Sequence, residues 1–141
     1  MNVAYTLGRV LLPLVFLVAG AQKALNIADF AKLLAATGIP VPDQIEAYLR
    51  GLPKYEALGY LIAVVEVICA LMVMIGFKAR WGALVLAVFS ACAIIFVHHF
   101  WDMEGVALVE ARGEAIKNLS LLGGLLLVVA MGSGPGAAEP R

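Results

Sequence analysis

Apolar residues in this chain come in long runs, and polar residues cluster at the ends of those runs. Residues 59–77 are almost unbroken hydrocarbon, with one carboxylate, Glu66, near the middle. Extended back to Tyr55, the run reaches the roughly 20 residues a helix needs to cross a bilayer. Residues 4–25 and 81–100 form two further runs of spanning length. A fourth run, 119–131, is too short to cross alone. Its span is therefore placed at 116–132, with Lys117 and Asn118 about one turn inside the membrane.

Between the first two spans the pattern changes. Residues 29–37 put Phe30, Leu33 and Leu34 on one face and stop at Gly38, followed by Pro40 and Pro42. Asp43 and Glu46 have the spacing of a capping box, which predicts a second short helix at 43–50, closed by Gly51 and Pro53. Both short helices are expected to lie in the membrane interface. Residues 102–114 read as an acidic loop and 135–141 as a flexible tail. The fold class that follows is all-α: a polytopic four-helix transmembrane bundle over residues 1–134. The first run is read as a span and not as a cleaved leader, because it is long and its only early charge is Arg9.

Composition agrees with this pattern. Hydrophobic residues make up 63% of the 141 and charged residues 14%, where soluble domains have about 45–50% and about 25%. The lipid bilayer is thus the first partner. Zero net charge removes the basic field that nucleic acid would require. Cys69 and Cys92 both lie in apolar runs and form no Cys-x-x-Cys pair, so a thiol redox motif is not indicated. Ala83, Ala87 and Ala91 make a small-residue stripe that suits packing within the chain or a homodimer.

The three-residue turn between spans two and three holds Lys78 and Arg80. Short loops dense in Lys and Arg stay in the cytoplasm, so both termini are expected there, in a cytoplasmic (inner) membrane. The other side carries Lys23, Lys32, Arg50, Lys54, Arg112 and Lys117 on longer segments, with more acids than bases.

Placing polar groups by depth brings Gln22, Lys23, His98, His99, Lys117 and Asn118 towards the non-cytoplasmic face, with Glu66 below them. A carboxylate in the bilayer is costly unless paired or neutral and usually faces a bundle interior. Glu66 has candidate partners on both sides: Arg9 lies about 9 Å away in depth, and Lys23 and the histidines come from the other side, slightly farther. A structural ion pair between Arg9 and Glu66 that fixes helix register is one reading. The sharper alternative is a proton-exchanging Glu66 facing a polar pocket. His98 and Asp102 share a helix face, but two ligands are too few to assign a metal, and no haem, flavin or iron–sulfur site is evident.

Several motifs in order resemble one family. They are Gly8-Arg9-Val-Leu-Leu, Phe16-Leu-Val-Ala-Gly20-Ala-Gln-Lys23, Phe30 with Gly38-Ile-Pro40, the Glu66 span through Leu71 to Gly76-Phe77-Lys78-Ala-Arg80, His98-His99-Phe100-Trp101, and Lys117-Asn118-Leu-Ser-Leu-Leu-Gly-Gly. The ordered set resembles the DoxX family of small integral membrane proteins. That resemblance implies a four-helix bundle in the cytoplasmic membrane and a link to redox chemistry through quinone-reducing membrane subunits. Other relatives are implied to act as chaperones or assembly factors.

Three functions are carried forward. In the first, the chain is a membrane subunit or accessory of a quinone-linked redox system. Glu66, His98 and Lys117 would do proton chemistry, Gln22, Lys23, His99 and Asn118 would hold the quinone, and a partner protein would supply electrons. In the second it is a non-catalytic chaperone or interaction protein. In the third it is a proton-coupled small-molecule carrier. Whether it is an enzyme stays open at this point.

Overall fold

A computed structural model describes residues 3–44, 51–134 and 136–138. Among these, all regular structure is helical: α1 (Val3–Leu11), α2 (Leu14–Leu25), α3 (Ile27–Ala36), α4 (Lys54–Ile75), α5 (Ala79–Cys92) and α6 (Gly105–Met131). A five-residue π-turn (Ala93–Val97) and a 3-10 turn (Phe100–Asp102) follow α5. Four stretches are long and apolar enough to span a membrane: Val3–Leu25, Lys54–Ile75, Ala79–Asp102 and Gly105–Met131.

The first span is α1 and α2 with a break at Pro13. Proline has no N–H to donate and its ring crowds the preceding turn, so it kinks the helix. The Pro13 carbonyl accepts from both Phe16 and Leu17 at 3.1 Å, which restarts the ladder. At the other end of the bundle, α4 stops at Gly76 in the left-handed conformation (φ 75°). Phe77 N–H donates to the Met72 carbonyl at 3.0 Å and Gly76 N–H to Val73 at 3.2 Å, a Schellman closure. Any side chain at Gly76 would also collide with the Arg9 guanidinium.

Side by side, α2 packs on α4, α4 on α5, and α5 on α6, while α3 lies against α4. Glycine lets these helices approach closely. A Cβ on Gly82 of α5 would sit 2.9 Å from the Cys69 carbonyl, and one on Gly20 of α2 would sit 3.1 Å from the Ala63 carbonyl. Ala83 and Ala87 of the alanine stripe are buried inside the chain. The core below the middle of the bundle is Phe16, Ala70, Val73, Leu86, Leu125 and Val128 with their neighbours. Lipid supplies no hydrophobic drive between helices, so association rests on this close van der Waals fit.

Three details differ from the sequence reading. Residues 105–114, expected in an acidic loop, are the first turns of α6. Ala111 and Ala115 are buried and continue the stripe of Asn118, Leu125 and Val128, so a helical period runs through the charged residues. The tail from residue 132 is not loose over its described part. Gly132 accepts a hydrogen bond from the Tyr5 hydroxyl at 2.5 Å, Gly136 accepts one from Arg9, and Ala138 N–H donates to Ile75 at 2.9 Å. It folds back over the ends of α1 and α4 because unpaired carbonyls and a buried guanidinium wait there. The first interfacial helix begins at Ile27 and ends at Ala36. The second, expected at 43–50, falls mostly on 45–50, outside the described residues.

Candidate functional site

In the half of the bundle away from the Lys78–Arg80 turn, the four spans enclose a cavity of about 480 Å³. Its walls are mainly apolar: Phe16 and Ala19 of α2, Ile62 of α4, Phe89 of α5 and Leu121 of α6. Phe30, Leu33 and Leu34 of α3 cover one side. The core layer forms its floor.

Glu66 sits 12 residues into α4, about 18 Å from its start. It is buried, with 6% of its side chain exposed. Lys23, from the last turn of α2, places its Nζ 2.5 Å from Glu66 Oε2. The same ammonium lies 5.5 Å from the centre of the Phe30 ring, near enough for a cation–π attraction. Lys23 thus joins α2, α3 and α4 at one point. Two charges inside a low-dielectric bundle hold each other strongly, and either alone would be costly.

Opposite this pair stands α6. Asn118 is buried and donates from Nδ2 to the Glu114 carbonyl at 2.9 Å. Lys117 pairs with Glu114 one turn earlier, and all three line the cavity. Ser90 of α5 also faces it, its hydroxyl donating to the Leu86 carbonyl at 3.1 Å. His98 reaches the cavity through the π-turn, whose closing bond runs from His98 N–H to the Ala93 carbonyl at 2.8 Å. π-turns inside helices recur at functional sites because the extra residue re-aims the side chains that follow.

Of the residues singled out from the sequence, Gln22, Lys23, Glu66, His98, Lys117 and Asn118 line this one cavity. His99 does not. Beyond the π-turn the backbone leaves the helix, with His98 at φ −108°, ψ 43° and His99 at φ −75°, ψ 65°. His99 turns away to Asp102, with Nε2 3.7 Å from Oδ1, and meets Trp101 edge-on.

The proposed Arg9–Glu66 pair is also corrected. Arg9 is 2% exposed and donates from Nη1 to the Val73 and Met74 carbonyls, each at 3.1 Å, and from Nη2 to Gly136 at 3.3 Å. The last carbonyls of a helix lack intrahelical donors and carry partial negative charge. They offer Arg9 partners at its own depth, while Glu66 lies about two turns away along α4. Neither Ser90 nor Glu114 stands out in the sequence. Serine in an apolar helix more often bonds its own backbone, and the charge around Glu114 reads as a loop. Among the described residues no group of three or more His, Cys, Asp or Glu side chains comes together as a metal cluster would require.

The order of these elements, from the kinked first span to the π-turn, coincides with a match to the DoxX family model over residues 4–99. The chain belongs to the DoxX family. The match takes in Gln22, Lys23, Glu66, Ser90 and His98, whereas Glu114, Lys117 and Asn118 lie past its end. Among DoxX-related proteins, the chain is similar to the inner membrane protein YphA of Escherichia coli strain K12. The two are 29% identical over 132 residues, covering 93% of this chain and 83% of YphA. It is also similar to a Surfeit locus protein 4 homolog of Schizosaccharomyces pombe, 34% identical over 83 residues. That match covers 57% of this chain and 28% of the yeast protein. No solved structure matches this DoxX chain.

Proposed function

We propose that the cavity binds the ring of a lipid-soluble quinone, and that the chain serves as a membrane subunit or accessory of a quinone-linked redox system. The observation that carries this reading is the Lys23–Glu66 pair, its carboxylate buried, opening into a mainly apolar cavity. A quinone needs donors for its two carbonyl oxygens and an apolar slot for its ring. Lys23 on one wall and Lys117 with Asn118 on the other offer the donors, and Phe16, Phe30 and Phe89 offer the slot. Reduction to the quinol takes two electrons and two protons. Glu66 and His98 are the groups proposed to pass protons, and a partner protein is proposed to supply the electrons.

The cavity is blind towards the Lys78–Arg80 end, where the core layer and the Arg9-held tail close the bundle. A one-ended pocket favours binding over carriage. In our reading that closed end and both termini face the cytoplasm, because the shortest loop is the most basic.

The test is to purify the protein in mild detergent and measure its quinone content and the shift in melting temperature on adding a quinone. Binding that weakens about tenfold or more in Glu66→Gln supports the proposal. The wild-type protein neither carrying quinone nor responding to it refutes the proposal. If Glu66→Gln is harmless while Phe30→Ala abolishes co-purification of a fixed protein partner, the chain is an interaction protein instead.

A further inference from the structure

We infer that the occupant of the cavity is a single-chain amphiphile whose tail leaves sideways, through the seam between α2 and α6, into the lipid. This rests on the quinone reading above and adds how the ligand enters and which ligands fit.

The bundle is a ring of spans with one weak joint. The pairs α2–α4, α4–α5 and α5–α6 pack along their length, but α2 and α6 barely meet. Both nevertheless line the cavity, α2 with Ala19 and Gln22, and α6 with Lys117 and Leu121. Below the cavity the joint is closed by Leu12, which lies against Gly124 so tightly that a Cβ there would come within 3.0 Å of Leu12 Cδ1. Above that contact the two backbones stand apart among the described residues.

Size decides what can sit inside. Small-molecule pockets run from about 300 to 1,000 Å³, and one of about 480 Å³ takes a ring-sized head with a few carbons. A polyisoprenoid tail, or the two chains of a phospholipid, must lie elsewhere. The water-facing exit suits hydrocarbon poorly, because the Lys117–Glu114 pair stands there. On the α3 side Phe30, Leu33 and Leu34 lie over the cavity, with Leu34 buried, and α3 is held on α4 at Gly59, where a Cβ would come 2.7 Å from Ile27. The seam between α2 and α6 has no such cover. Its lips are exposed at membrane depth: Val18, next to Ala19, is 55% exposed, and Ser120, next to Leu121, is exposed too. The single polyisoprenoid tail of a quinone is the chain assigned to this exit.

The experiment places tryptophan on the lips, as Ser120→Trp and separately Val18→Trp, both outside the cavity. Each variant and the wild type are titrated with a tailless methoxy-substituted benzoquinone and with the same ring bearing a polyisoprenoid tail. Melting temperature and light scattering confirm fold and oligomeric state. The inference expects the tailed quinone to lose about tenfold or more in affinity, since a tail kept out of lipid loses its apolar burial, while the tailless ring changes little. If both probes bind both folded variants as they bind the wild type, the lateral exit is overturned and the quinone reading survives. Equal loss of both probes overturns it as well, as does a shift from dimer to monomer with tailed binding unchanged, which would make the seam an interface between copies. If the wild type binds neither probe, the quinone reading falls and takes this inference with it.

Discussion

Lys23 and Glu66 depend on each other more than on any other neighbour. Lys23 is 27% exposed along its side chain and Glu66 6%, so removing either leaves a charge with little water to replace its partner. Truncating one member of a buried pair is strongly destabilising, whereas replacing both by apolar groups of similar size is often neutral. Lys23→Met alone should therefore cost about 2–3 kcal/mol of stability, and Lys23→Met with Glu66→Leu should return to within about 1 kcal/mol of the wild type. Unfolding in detergent measures both. If the double variant is no better than the single one, the pair is not the coupled unit described here. Recovery of stability without recovery of quinone binding would separate the pair's role in the fold from its role at the site. Glu66 was legible in the sequence because an acid in a hydrocarbon run has no cheap place except a bundle interior. Its partner was not legible. Depth arithmetic left Arg9 and Lys23 both within reach, and the choice was made by helix-end carbonyls and the tail, which capture Arg9 first.

At the level of elements, glycines on helices divide into two kinds that the sequence does not distinguish. Gly82 faces α4, where an added Cβ would press on the Cys69 carbonyl at 2.9 Å and on Met72 and Val73 at 3.2 Å. Backbone gives way poorly, so Gly82→Ala should cost about 1–3 kcal/mol. Gly123 on α6 has nothing within 4 Å of where its Cβ would be. There the substitution should leave stability unchanged or raise it by about 0.5–1 kcal/mol through helix propensity. In thermal melts in one detergent the Gly82 variant should unfold below the wild type and the Gly123 variant at or above it, and equal destabilisation would contradict the packing of α5 on α4. The start of α6 shows a related limit. Glu110, Arg112 and Glu114 look like a solvated loop when charge is counted, yet Ala111, Ala115 and Asn118 lie buried at helical spacing. Charged residues on the other sides of a helix do not interrupt the period of its buried stripe. The π-turn at 93–97 left no mark in composition, and it is what sends His98 to the cavity and His99 to Asp102.

Considered whole, the molecule is polar in one half and closed in the other. Gly132, Gly136 and Ala138 bond Tyr5, Arg9 and Ile75 at the same end as the Lys78–Arg80 turn, so these residues lie on the side of the densest basic loop. If that side is cytoplasmic, a fluorescent protein that matures only in the cytoplasm should glow when fused after Arg141 in a bacterial host. An alkaline phosphatase fused at the same point should be inactive. The reverse pattern would invert the orientation and place the cavity in the inner leaflet.

Hydropathy alone determined that this chain is a four-helix membrane protein, and it located Glu66 at depth, because the bilayer admits few ways to satisfy a backbone and imposes a length on each span. The ends of the spans likewise showed which polar residues lie on which side. Only the tertiary structure decided who meets whom: Lys23 with Glu66, Arg9 with the end of α4, Asn118 and Ser90 facing one cavity, and α2 standing off from α6. Those choices depend on the rotation of each helix about its axis and on where Pro13 and the π-turn bend the chain. Rotation is set by the fit of small residues against backbone at Gly20 and Gly82 and against the Ile27 and Phe30 side chains at Gly59, contacts between distant parts of the sequence that no local pattern records.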